Sequence, residues 1–121
     1  MTTIQIPAAE LELAEGETYA GVVLGEAPYH LVLLPGDQDY APLQVQLDWA
    51  KSIGGELPNR RELGLLRVNA PEEFKDDWYW SGELYEPDSS SAWCQYFGDG
   101  LQVYNDTYGE LRARAVRRSA F

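Results

Sequence analysis

The chain reads as an α+β domain, and three features of its sequence predict this. Alternating apolar segments fill residues 2 to 34, two helical patterns follow between Pro42 and Asn69, and short aromatic strands separated by turns complete the chain. At 121 residues it fits one domain, divided here into a β-rich segment over 1–36 and a second portion over 37–121. Hydrophobic residues at 45% and charged residues at 24% suit a packed core rather than disorder.

The first strands are expected over Thr2 to Ile6, around Leu11 and Leu13, and over Tyr19 to Leu24 and Tyr29 to Leu34. Gly25 to Pro28 supplies a hairpin turn between the last two. Pro35-Gly36-Asp37 breaks the pattern. Pro42 suits a first helical turn, and Leu43, Leu47 and Ala50 then recur on one face until Gly54-Gly55 ends the helix. Asn59 with Glu62 three residues on predicts a capping box at the start of a second helix, which runs to Asn69-Ala70-Pro71.

Beyond it, Trp78-Tyr79-Trp80 is expected to be a short buried strand, and Glu86 to Ser91 a polar loop. Ala92 to Phe97 and Leu101 to Tyr104 form a hairpin around Gly98-Asp99-Gly100. Ala113 to Arg118 closes the chain as a single strand. The closing arginines are expected to pair with the domain's own carboxylates, while Glu72-Glu73 and Asp76-Asp77 are expected to be solvated.

Charge and composition narrow the function classes. The net charge of -11 opposes binding to nucleic acid through its phosphates. Nine acids against Lys51 alone occupy residues 1 to 58, and eleven acids against eight bases the remainder. The single cysteine, Cys94, cannot form an internal disulfide, which suggests a reducing cytoplasm. No run is long and apolar enough to span a bilayer, and Met1 to Pro7 has no signal-peptide character.

Catalytic chemistry finds little to use. The only histidine, His30, falls in an apolar strand and is expected to be structural with a satisfied ring. Cys94 beside Trp93 is expected to be an inert buried thiol. No phosphate loop or zinc spacing is present, so no enzyme activity and no cofactor are expected. Glu86-Pro87-Asp88 and Tyr104-Asn105-Asp106 carry oxygen donors of the kind calcium takes, although chance is the better account of two such short triplets in an acidic chain.

From Asp48-Trp49-Ala50 onward the landmarks are Gly54-Gly55-Glu56-Leu57-Pro58-Asn59-Arg60-Arg61-Glu62-Leu63, then Phe74, Tyr79-Trp80-Ser81, Ala92-Trp93, Phe97, Gly100 and Arg114-Ala115-Val116-Arg117-Arg118. In this order the chain resembles the Lcl C-terminal-domain family of small phage and bacterial proteins. The resemblance implies a C-type-lectin-like fold, with two helices packed on a small twisted, mostly antiparallel sheet beneath a long loop region. Sugar-binding lectins, formylglycine-generating enzymes and diversified phage receptor-binding proteins share that fold, so the fold does not settle function. The formylglycine-generating relatives depend on paired cysteines, which this chain lacks.

The strongest candidate site is the exposed part of residues 85 to 112, carrying Tyr85, Tyr96, Asp99, Tyr104, Asn105, Asp106 and Tyr108. Tyrosine with serine, asparagine and glycine supplies rigid contact area and adaptable hydrogen bonding. Alternation places Trp93 and Phe97 on one face and Tyr96 on the other, and makes Tyr96, Tyr104 and Tyr108 the expected exposed positions. The expected role is a phage or prophage binding protein, in the virion or the cytoplasm of a phage-carrying bacterium, that contacts a protein or glycan. The second expectation is an acidic interaction protein that inhibits a host defence complex through its N-terminal half.

Overall fold

A computed structural model describes residues 10–121. The Thr2 to Ile6 strand expectation lies outside the described residues. The element order is β1 (Thr18–Val23), β2 (Tyr29–Leu33), β3 (Gln38–Ala41), α1 (Leu43–Ser52), α2 (Arg60–Asn69), a 3-10 turn over Pro71–Glu73, β4 (Trp78–Leu84), β5 (Ser91–Tyr96), β6 (Gln102–Asp106), β7 (Leu111–Ala113) and β8 (Val116–Ala120). Strands, two helices and strands again make an α+β fold, as the segment order predicts.

The strands divide between two sheets. One has the order β1-β2-β8 and the other β3-β7-β4-β5-β6. Every pairing is antiparallel except that of β4 with β7, which is parallel through Tyr79 and Arg112. The β1–β2 hairpin turns where Gly25 to Pro28 was expected, and β5 pairs with β6 in register from Ser91–Asp106 to Gln95–Gln102.

Two expectations are corrected, and one strand has no counterpart in the sequence reading. Leu11 and Leu13 alternate in the sequence, yet residues 10 to 15 form no strand. The predicted closing strand over Ala113 to Arg118 is two strands, with Arg114 and Ala115 carrying the chain from one sheet to the other. Leu34 donates its amide to the Ala115 carbonyl at this crossing. The strand without a counterpart is β3, which follows Pro35-Gly36-Asp37 in a stretch with no apolar alternation and exists because β7 pairs with it.

Both helices form where the sequence places them. Gly54 ends α1 in the left-handed region at φ 83°, where a side chain is disfavoured. Its neighbour Gly55 packs so closely that a Cβ there would stand 2.5 Å from Leu34 Cδ1 and 2.8 Å from the Val116 carbonyl oxygen. At α2 the capping box is complete: Asn59 Oδ1 accepts from the Glu62 amide and Glu62 Oε1 from the Asn59 amide, each at 2.8 Å.

The two helices seal two apolar clusters. Leu63 and Leu66 of α2 join Leu31, Leu33, Tyr79 and Phe97. Leu43 and Ala50 of α1 join Leu34, Trp80, Cys94 and Ala113. Tyr79 and Trp80 are adjacent and point to opposite faces of the sheet, so one strand feeds both clusters.

Candidate functional site

On one face of the five-stranded sheet, β5 and β6 carry Ser91 opposite Asp106, Trp93 opposite Tyr104 and Gln95 opposite Gln102. The Gln95 end of this face lies under α2, and Gln95 Nε2 donates to the Leu63 carbonyl at 2.9 Å. Past the N-terminus of α2 the same face emerges as an aromatic shelf. Tyr85 and Tyr104 stack with centroids 3.9 Å apart at 12°, and Trp93 meets both edge-on at 5.6 and 5.7 Å. Tyr104 is 52% exposed.

A polar frame fixes the shelf from below. The Arg60 guanidinium lies over the Trp93 ring, 3.6 Å from its centroid. Arg60 Nε donates to Gln102 Oε1 at 2.9 Å, and the Gln102 amide donates to the Arg60 carbonyl and to Gln95 Oε1. Glu83 Oε1 accepts from the Arg60 backbone amide at 2.9 Å. Trp93 and Tyr104 stand on strands and Arg60 on a helix, and Tyr85, just past β4, is tied by its amide to the Ser91 carbonyl, so these side chains need little ordering when a partner arrives.

The predicted site residues separate into groups. Tyr85 and Tyr104 come together in the shelf, with Asp106 two residues along on the same face. Asn105 points to the other face, close against Gly109. Tyr108, 84% exposed, tops the turn after β6 and lines a groove with Leu43, Leu47 and Leu84 beside α1. Asp99 lies at the opposite end of the β5–β6 hairpin, where its carboxylate accepts from the Leu101 amide at 2.8 Å.

Tyr96 is half-buried rather than exposed. Its ring is 5.3 Å from that of Trp78 and lies against the backbone of Gly98. Trp93 was expected on the inner face with Phe97. It shares that face, but Phe97 is buried beneath α2 while Trp93 is only half-buried, just beyond the helix end. Arg60 and Gln102 were not anticipated as part of the site. Nothing local signals their contact across β5 and β6, though Arg60 at the first position of a helix whose cap was legible marks where that helix stops covering the sheet.

The calcium triplets are neighbours, since Thr107 donates its amide to the Ser90 carbonyl, but Asp88 and Asp106, two of their three carboxylates, are engaged locally. Asp88 accepts from the Ser90 amide and hydroxyl at 3.0 and 2.6 Å, and Asp106 from the Tyr108 amide at 2.8 Å. Among the described residues no three His, Cys, Asp or Glu side chains group as metal ligands.

Cys94 is 2% exposed, and burial pushes its thiol up to about 11, opposite to the direction a nucleophile requires. His30 is buried as expected, and its Nδ1 lies 2.7 Å from the Tyr19 hydroxyl. Its ring is not fully satisfied, because Nε2 is buried without a partner.

The charged residues correct another expectation. Asp77 is not a solvated carboxylate: together with Asp37 and Asp39 it surrounds Arg112, at 3.3, 3.0 and 3.3 Å, and Tyr40 donates to it. Burial pushes the Asp77 carboxyl up, but hydrogen bonds from Tyr40, the Trp78 amide and Arg112 outweigh it and hold the group below its ordinary value. Glu73 lies 3.8 Å from Arg114, whereas Glu72 and Asp76 are exposed as expected. Glu62, with no exposed surface, takes Arg118 Nε and Nη2 at 2.7 and 2.8 Å and the Tyr29 hydroxyl at 2.6 Å. Arg117 grips Glu17 through two bonds of 2.9 Å. The closing arginines therefore pair with the domain's own carboxylates, as predicted.

No family model matches this chain, and no match is found among the curated proteins. No helix among the described residues is long and apolar enough to cross a membrane.

Proposed function

We propose that this chain is a non-catalytic binding module that contacts a protein or glycan through the aromatic and polar surface of β4, β5, β6 and their turns. The observation that carries this reading is the shelf of Tyr85, Trp93 and Tyr104, held rigid by Arg60 and Gln102 yet open on its outer side. Aromatic rings kept at the surface at the expense of burial are a feature of recognition surfaces. The resemblance to the phage and bacterial Lcl C-terminal-domain family supports a C-type-lectin-like architecture and a place in a phage or prophage, in a virion or in the host cytoplasm. No direct contact with nucleic acid belongs to this reading, because the net charge of -11 opposes it.

A second reading, an acidic inhibitor of a host complex acting through the N-terminal half, draws support from Glu10, Glu12 and Glu15. These three are exposed, and none has an ion-pair partner among the described residues. Affinity capture from host lysate, with a glycan array alongside, tests the two readings. The wild type is compared with Tyr85→Ala/Tyr104→Ala and with Glu10→Lys/Glu12→Lys/Glu15→Lys. Loss of the ligand in the tyrosine variant alone supports the shelf. Loss in the charge-reversed variant alone overturns it in favour of the acidic segment.

A further inference from the structure

We infer that the Tyr85–Trp93–Tyr104 shelf receives arginine side chains from a basic segment of a protein partner. This rests on the binding reading above and narrows it to one class of ligand.

The shelf already holds a guanidinium. The Arg60 guanidinium lies over Trp93, 3.6 Å from the ring centroid, and among the described residues no carboxylate lies within ion-pair distance of that guanidinium. The ring face, with one hydrogen bond to Gln102, is what positions that cation. A guanidinium is planar and weakly hydrated, so it stacks on aromatic faces more readily than an ammonium does.

Arg60 occupies Trp93 and leaves the tyrosine pair available. Tyr104 is stacked on Tyr85 and is 52% exposed, so the pair keeps aromatic surface within reach of a partner. Carboxylates flank this surface. Asp106 follows Tyr104 on the same face, and Glu86 and Asp88 follow Tyr85 in the adjoining turn, all three exposed. A cation stacked on the tyrosines would meet these charges, whereas an acidic sugar or a phosphate would be repelled by them and by the net charge of -11.

The shape favours a macromolecule over a small ligand. None of the principal hollows among the described residues is lined by Tyr85, Trp93 or Tyr104. Small molecules take enclosed clefts, while an open aromatic patch with a charged rim suits a protein surface.

The test is fluorescence anisotropy with labelled Gly-Arg-Gly-Arg-Gly-Arg, its lysine counterpart of equal charge, and labelled chitotetraose as a neutral glycan. It is run at about 0.15 M salt, where charges in solvent more than about 8 Å apart are largely screened. Tyr85→Ala/Tyr104→Ala is expected to weaken binding of the arginine peptide about tenfold. Glu86→Gln/Asp88→Asn/Asp106→Asn, which retains oxygen acceptors for the turns, is expected to weaken it severalfold. Glu10→Gln/Glu12→Gln/Glu15→Gln is expected to leave it unchanged, and the lysine peptide to bind more weakly than the arginine peptide to the wild type. Circular dichroism and melting curves establish that each variant is folded.

Equal binding of both peptides, insensitive to the tyrosine variant, would reduce the effect to general charge attraction and overturn the inference. Binding of chitotetraose that the tyrosine variant abolishes, without arginine-peptide binding, would overturn this inference while leaving the shelf a glycan-binding site. Failure of every probe to respond to the tyrosine variant would remove both readings of the shelf.

Discussion

The closing segment, residues 112 to 118, and the aromatic shelf invert the ordinary placement of residue types. Arg112 and Arg114 are 7% and 6% exposed, whereas Tyr104 and Tyr108 are 52% and 84% exposed. Charge lies inside and aromatic surface lies outside. Each reversal has a local cause. Arg112 and Arg114 are buried because the chain crosses between the two sheets there and acceptors from distant segments meet it: Asp37 and Asp77 at Arg112, and the Leu34 and Glu73 carbonyls at Arg114. Tyr104 is exposed because α2 begins at Arg60 and covers only part of the sheet face, and Tyr108 because it tops the turn after β6. The contrast teaches that the arginine–carboxylate contacts hold the scaffold, and that the aromatics beyond the helix are available for contact.

Breaking the buried contacts should produce the largest effects. Arg118→Ala leaves Glu62 ionised with no exposed surface, and loss of one partner of a buried pair costs about 3–5 kcal/mol. Arg112→Ala removes the shared partner of Asp37, Asp39 and Asp77, whose carboxylates still reach solvent, and is expected to cost less, about 1.5–3 kcal/mol, the range of hydrogen bonds to charged groups. Urea denaturation monitored by tryptophan fluorescence measures both. A loss below about 1 kcal/mol would show that these contacts are peripheral, as exposed pairs are.

Crowding at the sheet crossing comes next. Gly55→Ala would set a methyl 2.5 Å from Leu34 Cδ1 and 2.8 Å from the Val116 carbonyl, and overpacking of this kind costs about 1–3 kcal/mol. The same denaturation experiment reads it, and an unchanged midpoint would mean that the two sheets shift apart freely.

Acid sharpens the comparison, because carboxylates held by the closing arginines titrate with folding. Burial pushes the Glu62 carboxyl up, yet hydrogen bonds from Arg118, Tyr29 and the Asn59 amide prevail and hold it below its ordinary value of 4.5. For Glu17, bonding to Arg117 and then to the Ala14 amide lowers it likewise. A carboxyl lowered by folding contributes its full stability above the unfolded value and loses it as the pH falls through the folded one. Stability should therefore be level just above pH 4.5 with respect to these groups and decline below it. In Glu62→Gln the decline should be shallower, with a lower starting stability at neutral pH. A parallel decline in that variant would remove Glu62 from the account.

The smallest effects belong to the exposed aromatics. Tyr108→Ala should change stability by no more than about 0.5 kcal/mol, as exposed substitutions do. Tyr104→Ala should cost no more than about 1.5 kcal/mol, since it loses one stacked partner and one edge contact. Losses as large as those of the buried arginines would place the tyrosines in the core and end the comparison.

The local parts of this molecule were legible in the sequence. The Asn59–Glu62 capping box, the end of α1 at Gly54-Gly55, the turns of both hairpins and the buried Tyr79-Trp80 pair all depend on residues a few positions apart. Features that depend on distant partners were not. Glu62 reads as a capping residue, and nothing near it announces Arg118, 56 residues away. The division between β7 and β8 is invisible in an alternating run, because what splits it is pairing with β3 and β4 on one side and with β2 on the other. At the site, the composition of residues 85 to 112 pointed to the right strands. The end of α2 decides that Trp93 and Tyr104 emerge from cover, while Trp78 and Gly98 half-bury Tyr96 on the other face, and alternation carries neither contact.

The most direct test of the shelf as a contact surface is a two-dimensional NMR titration of the isotope-labelled protein with Gly-Arg-Gly-Arg-Gly-Arg. The account predicts shifts concentrated at Tyr85, Tyr104, Asp106 and the Trp93 indole, with Glu10, Glu12 and Glu15 unmoved. Shifts confined to those glutamates, or spread evenly over the acidic surface, would contradict it.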